Sequence, residues 1–136
     1  MKKFAVFSAI AILSACATST VPTQNPTHVL AGLWKTGKYR APGENTGLLV
    51  VTRDTGMRGG ACIPIITIGK EQIAPIDQGS LLELHLPAGQ HSLRAYPNRN
   101  CGASAIETLI EIEHEQVTHY RLGFVKRAMV FTPTAN

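Results

Sequence analysis

The sequence predicts an all-β protein, a small antiparallel β-sandwich of about seven strands. Three observations predict it. The apolar residues come in short runs of strand length, and no stretch shows a sustained 3.6-residue period. Twelve Gly and eight Pro punctuate those runs. Residues 80–86 alternate, with Leu82, Leu84 and Leu86 on one side and Leu81, Glu83 and His85 on the other. A chain of 136 residues, 44% of them hydrophobic, holds one compact domain with a core and excludes wholesale disorder.

Residues 1–15 read as a secretory leader: basic Lys2 and Lys3, then an apolar stretch of about ten residues, well below the roughly 20 that span a bilayer. Residues 16–45 are rich in Thr, Ser, Pro, Asn and Gly, and Pro22, Pro26 and Pro42 prevent a long helix. A flexible tether of this length reaches on the order of 30 Å. Within it, residues 29–34 hold several aliphatics and the sole Trp, Trp34. They are either a first element packed on the domain or a docking segment.

The sandwich is expected over residues 46–132, followed by a tail at 133–136. A continuous apolar run at 47–53 is the first strand. Residues 54–61 form a glycine-rich loop, and 62–68 are β-branched. Gly69-Lys70 is a two-residue hairpin turn into 71–74. Strand 80–86 turns at Pro87-Ala88-Gly89-Gln90 into 91–96, a hairpin that pairs Leu86 with His91. Strand 105–113 sets Ile106, Thr108, Ile110 and Ile112 against Glu107, Leu109 and Glu111. A turn at His114-Glu115 leads into 116–122, and 128–132 is the last strand.

The segment Leu13-Ser14-Ala15-Cys16 resembles the lipobox of bacterial lipoproteins. That resemblance implies cleavage before Cys16 and fatty acylation of its thiol and new amine, palmitate being a typical chain. At roughly 0.8 kcal/mol per buried CH₂, three such chains hold a small domain on a membrane durably. In that class Ala17, where Asp would retain the protein at the inner membrane, implies the outer membrane, with the domain in the periplasm. The other reading is an ordinary signal peptide cut near Ala15, leaving Cys16 free. Residues 46–125 also resemble a family of small bacterial lipoproteins similar to PEGA-type β-sandwich domains. The resemblance rests on the block from Gly79 to Leu93, above all Leu84-His85-Leu86-Pro87-Ala88-Gly89-Gln90-His91, and on Thr118-His119-Tyr120-Arg121-Leu122. It departs at Gly69-Lys70-Glu71-Gln72, where relatives have an acidic turn residue. It implies a fold and an address, and no activity.

With Cys16 assigned to the anchor, Cys62 and Cys101 are the two cysteines left, in a compartment where disulfides persist. Their pairing closes a loop worth on the order of 4 kcal/mol by chain entropy.

Thirteen Lys+Arg against nine Asp+Glu give +4; with Lys2 and Lys3 in the leader, eleven cations face nine carboxylates, +2, which is no nucleic-acid footprint. Gly56-Met57-Arg58-Gly59-Gly60 lacks the Lys-Ser/Thr and the helix start of a phosphate cradle. The histidines show no metal-ligand spacing. Glu107, Glu111, Glu113 and Glu115 recur at period two like a solvated strand face, with Arg94 and Arg121 as cross-strand partners. No catalytic residue, metal or cofactor is therefore expected.

The expected function is a non-catalytic, lipid-anchored protein that binds or braces another envelope component, protein or glycan. Leu81 and Leu109 are candidate contact residues on polar faces. A narrower reading resembles the tethered lipoprotein subunit of secretion machines. A different one is a glycan-binding or hydrolase-inhibiting module on a basic loop surface of Arg53, Arg58, Arg94 and Arg99, which the disulfide would help to assemble.

Overall fold

The computed structural model describes residues 22–56 and 59–135. The leader, Cys16, Ala17 and Arg58 lie outside them. Nine strands are present among the described residues: β1 Thr27–His28, β2 Thr46–Arg53, β3 Ile65–Ile68, β4 Glu71–Pro75, β5 Ser80–Pro87, β6 Gly89–Tyr96, β7 Ile106–Ile112, β8 Val117–Val125 and β9 Ala128–Thr134. They form two sheets, ordered β1-β5-β2-β8-β9 and β4-β3-β6-β7, that face each other as a β-sandwich. The last strand extends two residues into the expected tail.

Alternation builds the core. Leu49 and Val51 of β2 and Leu82, Leu84 and Leu86 of β5 point inward from one sheet; Ile66, Leu93, Ala95, Ile110 and Ile112 meet them from the other. The apolar run at 47–53 is explained by the central place of β2 between β5 and β8. Even Val50, on the outer face, is buried there among its neighbours.

Two connections differ from the expected hairpins. β5 and β6 are not partners: Leu86 pairs with Gly47 and His91 with Ile110, so the chain changes sheet between Pro87 and Gly89. Gly89, at φ 125°, supplies a turn that other residues resist. Ala88 N–H donates to the Asn45 carbonyl (2.8 Å). The His91 imidazole closes the corner, its Nε2–H donating to the Pro87 carbonyl at 2.7 Å. The turn at His114-Glu115 likewise carries the chain back from β7 to β8 in the first sheet. Two sheet changes bring β8 alongside β2 in parallel, so the sandwich is predominantly rather than wholly antiparallel.

Residues 23–39, expected within the tether, are laid on the domain. Thr23 Oγ1 donates to the Arg53 carbonyl (2.8 Å). β1 adds in parallel to the outer edge of β5, pairing Thr27 with Ser80 and His28 with Leu81. Lys35 N–H then donates to Ile73 of β4 (2.7 Å), and Tyr39 accepts from His85 of β5 (2.8 Å). Val29, Trp34 and Tyr39 pack against the core. This strap closes one side of the sandwich by joining the edges of both sheets. The other side, formed by β7 and β9, has no such cover among the described residues.

Candidate functional site

β2, β5, β6 and β8 all bring one set of termini to the same end of the sandwich, where residues 54–64, 76–79, 97–105 and 126–127 connect the strands. The disulfide between Cys62 and Cys101 ties the first and third of these connectors, with Cα atoms 4.2 Å apart. Ile63 N–H donates to Asn98 Oδ1 (3.4 Å), and Gln78 spans to the Gly56 amide and the Gly60 carbonyl (3.1 Å each).

Of the four arginines expected on one surface, Arg58 lies outside the described residues and Arg53 is not at the surface. Arg53 is fully buried, following Leu49 and Val51 onto the inner face of β2. Its Nη2 donates to the Gly59 carbonyl (3.1 Å), its Nη1 to the Leu122 carbonyl (3.4 Å), and the guanidinium lies 4.8 Å from the centre of the Phe124 ring. Nε has no partner among the described residues. Burial lowers its pKa from the usual arginine value, against the charges of Asp54 and Asp77, which raise it.

Arg94 lies on the outer face of β6, opposite Glu107 of β7, as the cross-strand expectation had it. Its Nη2 reaches Glu107 Oε1 at 3.1 Å, and Ser92 Oγ donates to the same oxygen at 2.6 Å. Ser92 first and Arg94 second hold the Glu107 carboxyl below the ordinary glutamate range, while the bond to Glu107 raises Arg94. Arg121 does not face the glutamates, because β8 belongs to the other sheet. It makes a two-pronged bond to nearly buried Asp54 (2.9 and 2.7 Å), which raises its pKa. Of the expected surface, Arg99 alone is exposed in the disulfide-linked loops among the described residues.

Two cations missed in the sequence complete this end. Lys126 and Arg127 occupy the two-residue turn between Val125 and Ala128, and both are exposed. Their signal was a basic pair between two β-branched or aromatic runs, legible once β8 and β9 are known to be a hairpin. With Gly59, Cys101, Gly102 and Phe124 they line an open cleft of about 260 Å³. Gly59 belongs there because a Cβ would stand 2.5 Å from the Phe124 ring. The cleft thus has an aromatic floor, a buried guanidinium stacked on that floor, and a basic rim.

The other polar groups do not converge comparably. His85 and His91 lie in different sheets. His28 approaches Glu83 (3.8 Å) and His114 approaches Glu115 (3.7 Å), and no group of three metal-ligating side chains occurs among the described residues. Arg40 stacks on Trp34 at 5.0 Å beside a shallow cleft with His28, Glu83 and His85. Leu81 is half-covered by β1, whereas Leu109 is 62% exposed between Glu107 and Glu111. Compared with known proteins, the chain matches no family model and no curated protein.

Proposed function

We propose that this chain is a non-catalytic lipoprotein, anchored to the outer membrane through Cys16 and facing the periplasm, whose sandwich binds or braces another envelope protein. The observation that carries the reading is the contrast between the two sides of the domain. The strap covers β4 and β5, while β7 presents Leu109 and its outer backbone edge. A strand edge recruits an extended segment through main-chain hydrogen bonds and needs no catalytic motif. β9 is the poorer edge, since Pro133 interrupts it. Support for the anchor comes from the lipobox-like segment and from the mutual pairing of Cys62 and Cys101, which leaves Cys16 as the remaining thiol.

A photo-crosslinking side chain at position 109, in cells, tests the partner. A discrete adduct at 109, absent when the probe stands at Glu83 on the strapped side, is expected. Equal or no adducts at both positions would sink the β7 assignment. Intact mass of the membrane-extracted protein tests the anchor: residues 16–136 plus acyl chains are expected, and an unmodified Cys16 overturns it.

A further inference from the structure

The chain that would carry the anchor leaves the domain at its basic end. Thr23 bonds to the carbonyl of Arg53, and its methyl group is close to Gly79, both at the disulfide end. Seven residue steps separate Cys16 from Thr23, a span of at most about 25 Å when fully extended. The eight-residue strands of the sandwich are themselves about 26 Å long. A leash that short keeps the end it is attached to nearest the bilayer, in contrast to a long tether that lifts the domain clear.

The composition of that end fits what it would meet. Its connectors carry exposed Arg99, Lys126 and Arg127 against one exposed carboxylate, Asp77, among the described residues. Asp54 is already taken by Arg121, and buried Arg53 adds a cation whose bonds go to carbonyls. Around them stand exposed apolar groups: Ile63, Tyr96 and Val125, the last 61% exposed. Basic side chains interleaved with aliphatic and tyrosyl groups are the chemistry of a membrane interface, where cations meet phosphates and amphipathic rings sit at headgroup level. The opposite end is different. Its connectors carry Glu44, Glu113 and Glu115 against Lys70, with Lys38 of the strap and Arg40 just after it nearby.

We infer that the disulfide end is a seat for the anionic phosphate headgroups of the anchoring membrane, with Arg99, Lys126 and Arg127 on the phosphates and Ile63, Tyr96 and Val125 entering the interface. The inference rests on the Cys16 anchor proposed above. In this arrangement β7 runs up from the lipid surface, and its edge around Leu109 is free to meet a partner.

The test uses the full chain on two kinds of vesicle, phosphatidylcholine alone and phosphatidylcholine mixed with phosphatidylglycerol. A water-soluble amine reagent labels Lys126, at the seat, and Lys70, at the opposite end. Lys126 labelling is expected to fall by roughly fivefold on the anionic vesicles and to recover at high salt, with Lys70 unchanged. Arg99→Glu with Arg127→Glu, both at exposed positions, should abolish the protection while leaving Lys126 as reporter. Equal Lys126 labelling on both vesicles overturns the seat, whether the lysine is open on both or protected on both; protection on both would mean a contact that needs no anionic lipid. Intact mass of the same samples separates the two ideas. Acyl chains on Cys16 without Lys126 protection overturn the seat and leave the anchor; protection without acyl chains supports the seat and overturns the anchor.

Discussion

Backbone hydrogen bonds tie both ends of the sandwich, and the ends differ in how far side chains reach between connectors. At the disulfide end the connectors are joined by side chains: the Cys62–Cys101 bridge, Arg53 on two carbonyls, Gln78 on two backbone groups, Asp54 with Arg121. At the opposite end backbone pairs lead, Ala88 to Asn45, Glu115 to Thr46, Gly69 to Ser92, and the side chains that join in, His91 on the Pro87 carbonyl and Thr46 on Gly43, bond only to backbone a few residues away. One end therefore depends more on residue identity, and the other more on backbone conformation. Substitutions should separate them.

The largest effect is expected from reduction. Cys62 and Cys101 lie 39 residues apart, and opening the bridge should cost about 4 kcal/mol, read as the fall in urea midpoint with and without reductant. A loss near zero would mean that the hydrogen bonds of Gln78 and Asn98 already hold the connectors. Next comes Arg53→Ala, which leaves a hole beside Phe124 and two carbonyls without their donor, and should cost about 3 kcal/mol. Arg53→Met keeps most of the volume, and about 1 kcal/mol is expected. Equal losses for the two variants would assign this end to the guanidinium bonds rather than to its packing.

At the opposite end side-chain volume should matter little and backbone angle more. A Cβ at Gly89 meets nothing within 4 Å, yet φ there is 125°. Gly89→Ala is therefore expected to cost about 1–3 kcal/mol through backbone strain alone. An unchanged unfolding midpoint would show that the corner relaxes, and the contrast between the ends would weaken.

Much of the fold was legible because alternation reports faces. Leu82, Leu84 and Leu86 were separated from Leu81, Glu83 and His85 correctly, and Gly69-Lys70 does turn β3 into β4. The same rule, extended two residues past Val51, would have put Arg53 inside; its charge argued for the surface instead. Alternation carries no information about which sheet a strand joins. A short Pro-Ala-Gly-Gln link fits a hairpin or a corner, and the choice between them lies in pairings far away in sequence, β5 with β2 and β6 with β3 and β7, with Asn45 accepting from Ala88 at the corner. The basic end was half legible for the same reason: Arg99 and the cysteines stand out in the sequence, but Lys126 and Arg127 join them through the parallel run of β8 beside β2.

The smallest expected effect concerns the weakest side-chain link, on the outer face running toward the disulfide end. Glu107 is bonded by Ser92 and Arg94, and its folded-state pKa is lowered. A carboxylate with a lowered folded pKa contributes stability above its unfolded value, about 4.3, and loses it as pH falls through the folded value. Wild type should therefore exceed Glu107→Gln slightly near neutral pH, and the difference should vanish as the medium is acidified below that range. The pair is largely exposed, so salt should shrink the difference as well. A difference that survives both acid and salt would belong to the Ser92 hydroxyl and not to charge. The outer face of β6 and β7 would then be held, like the opposite end, by neutral hydrogen bonds, and dependence on charged side chains would be confined to the connectors around the disulfide.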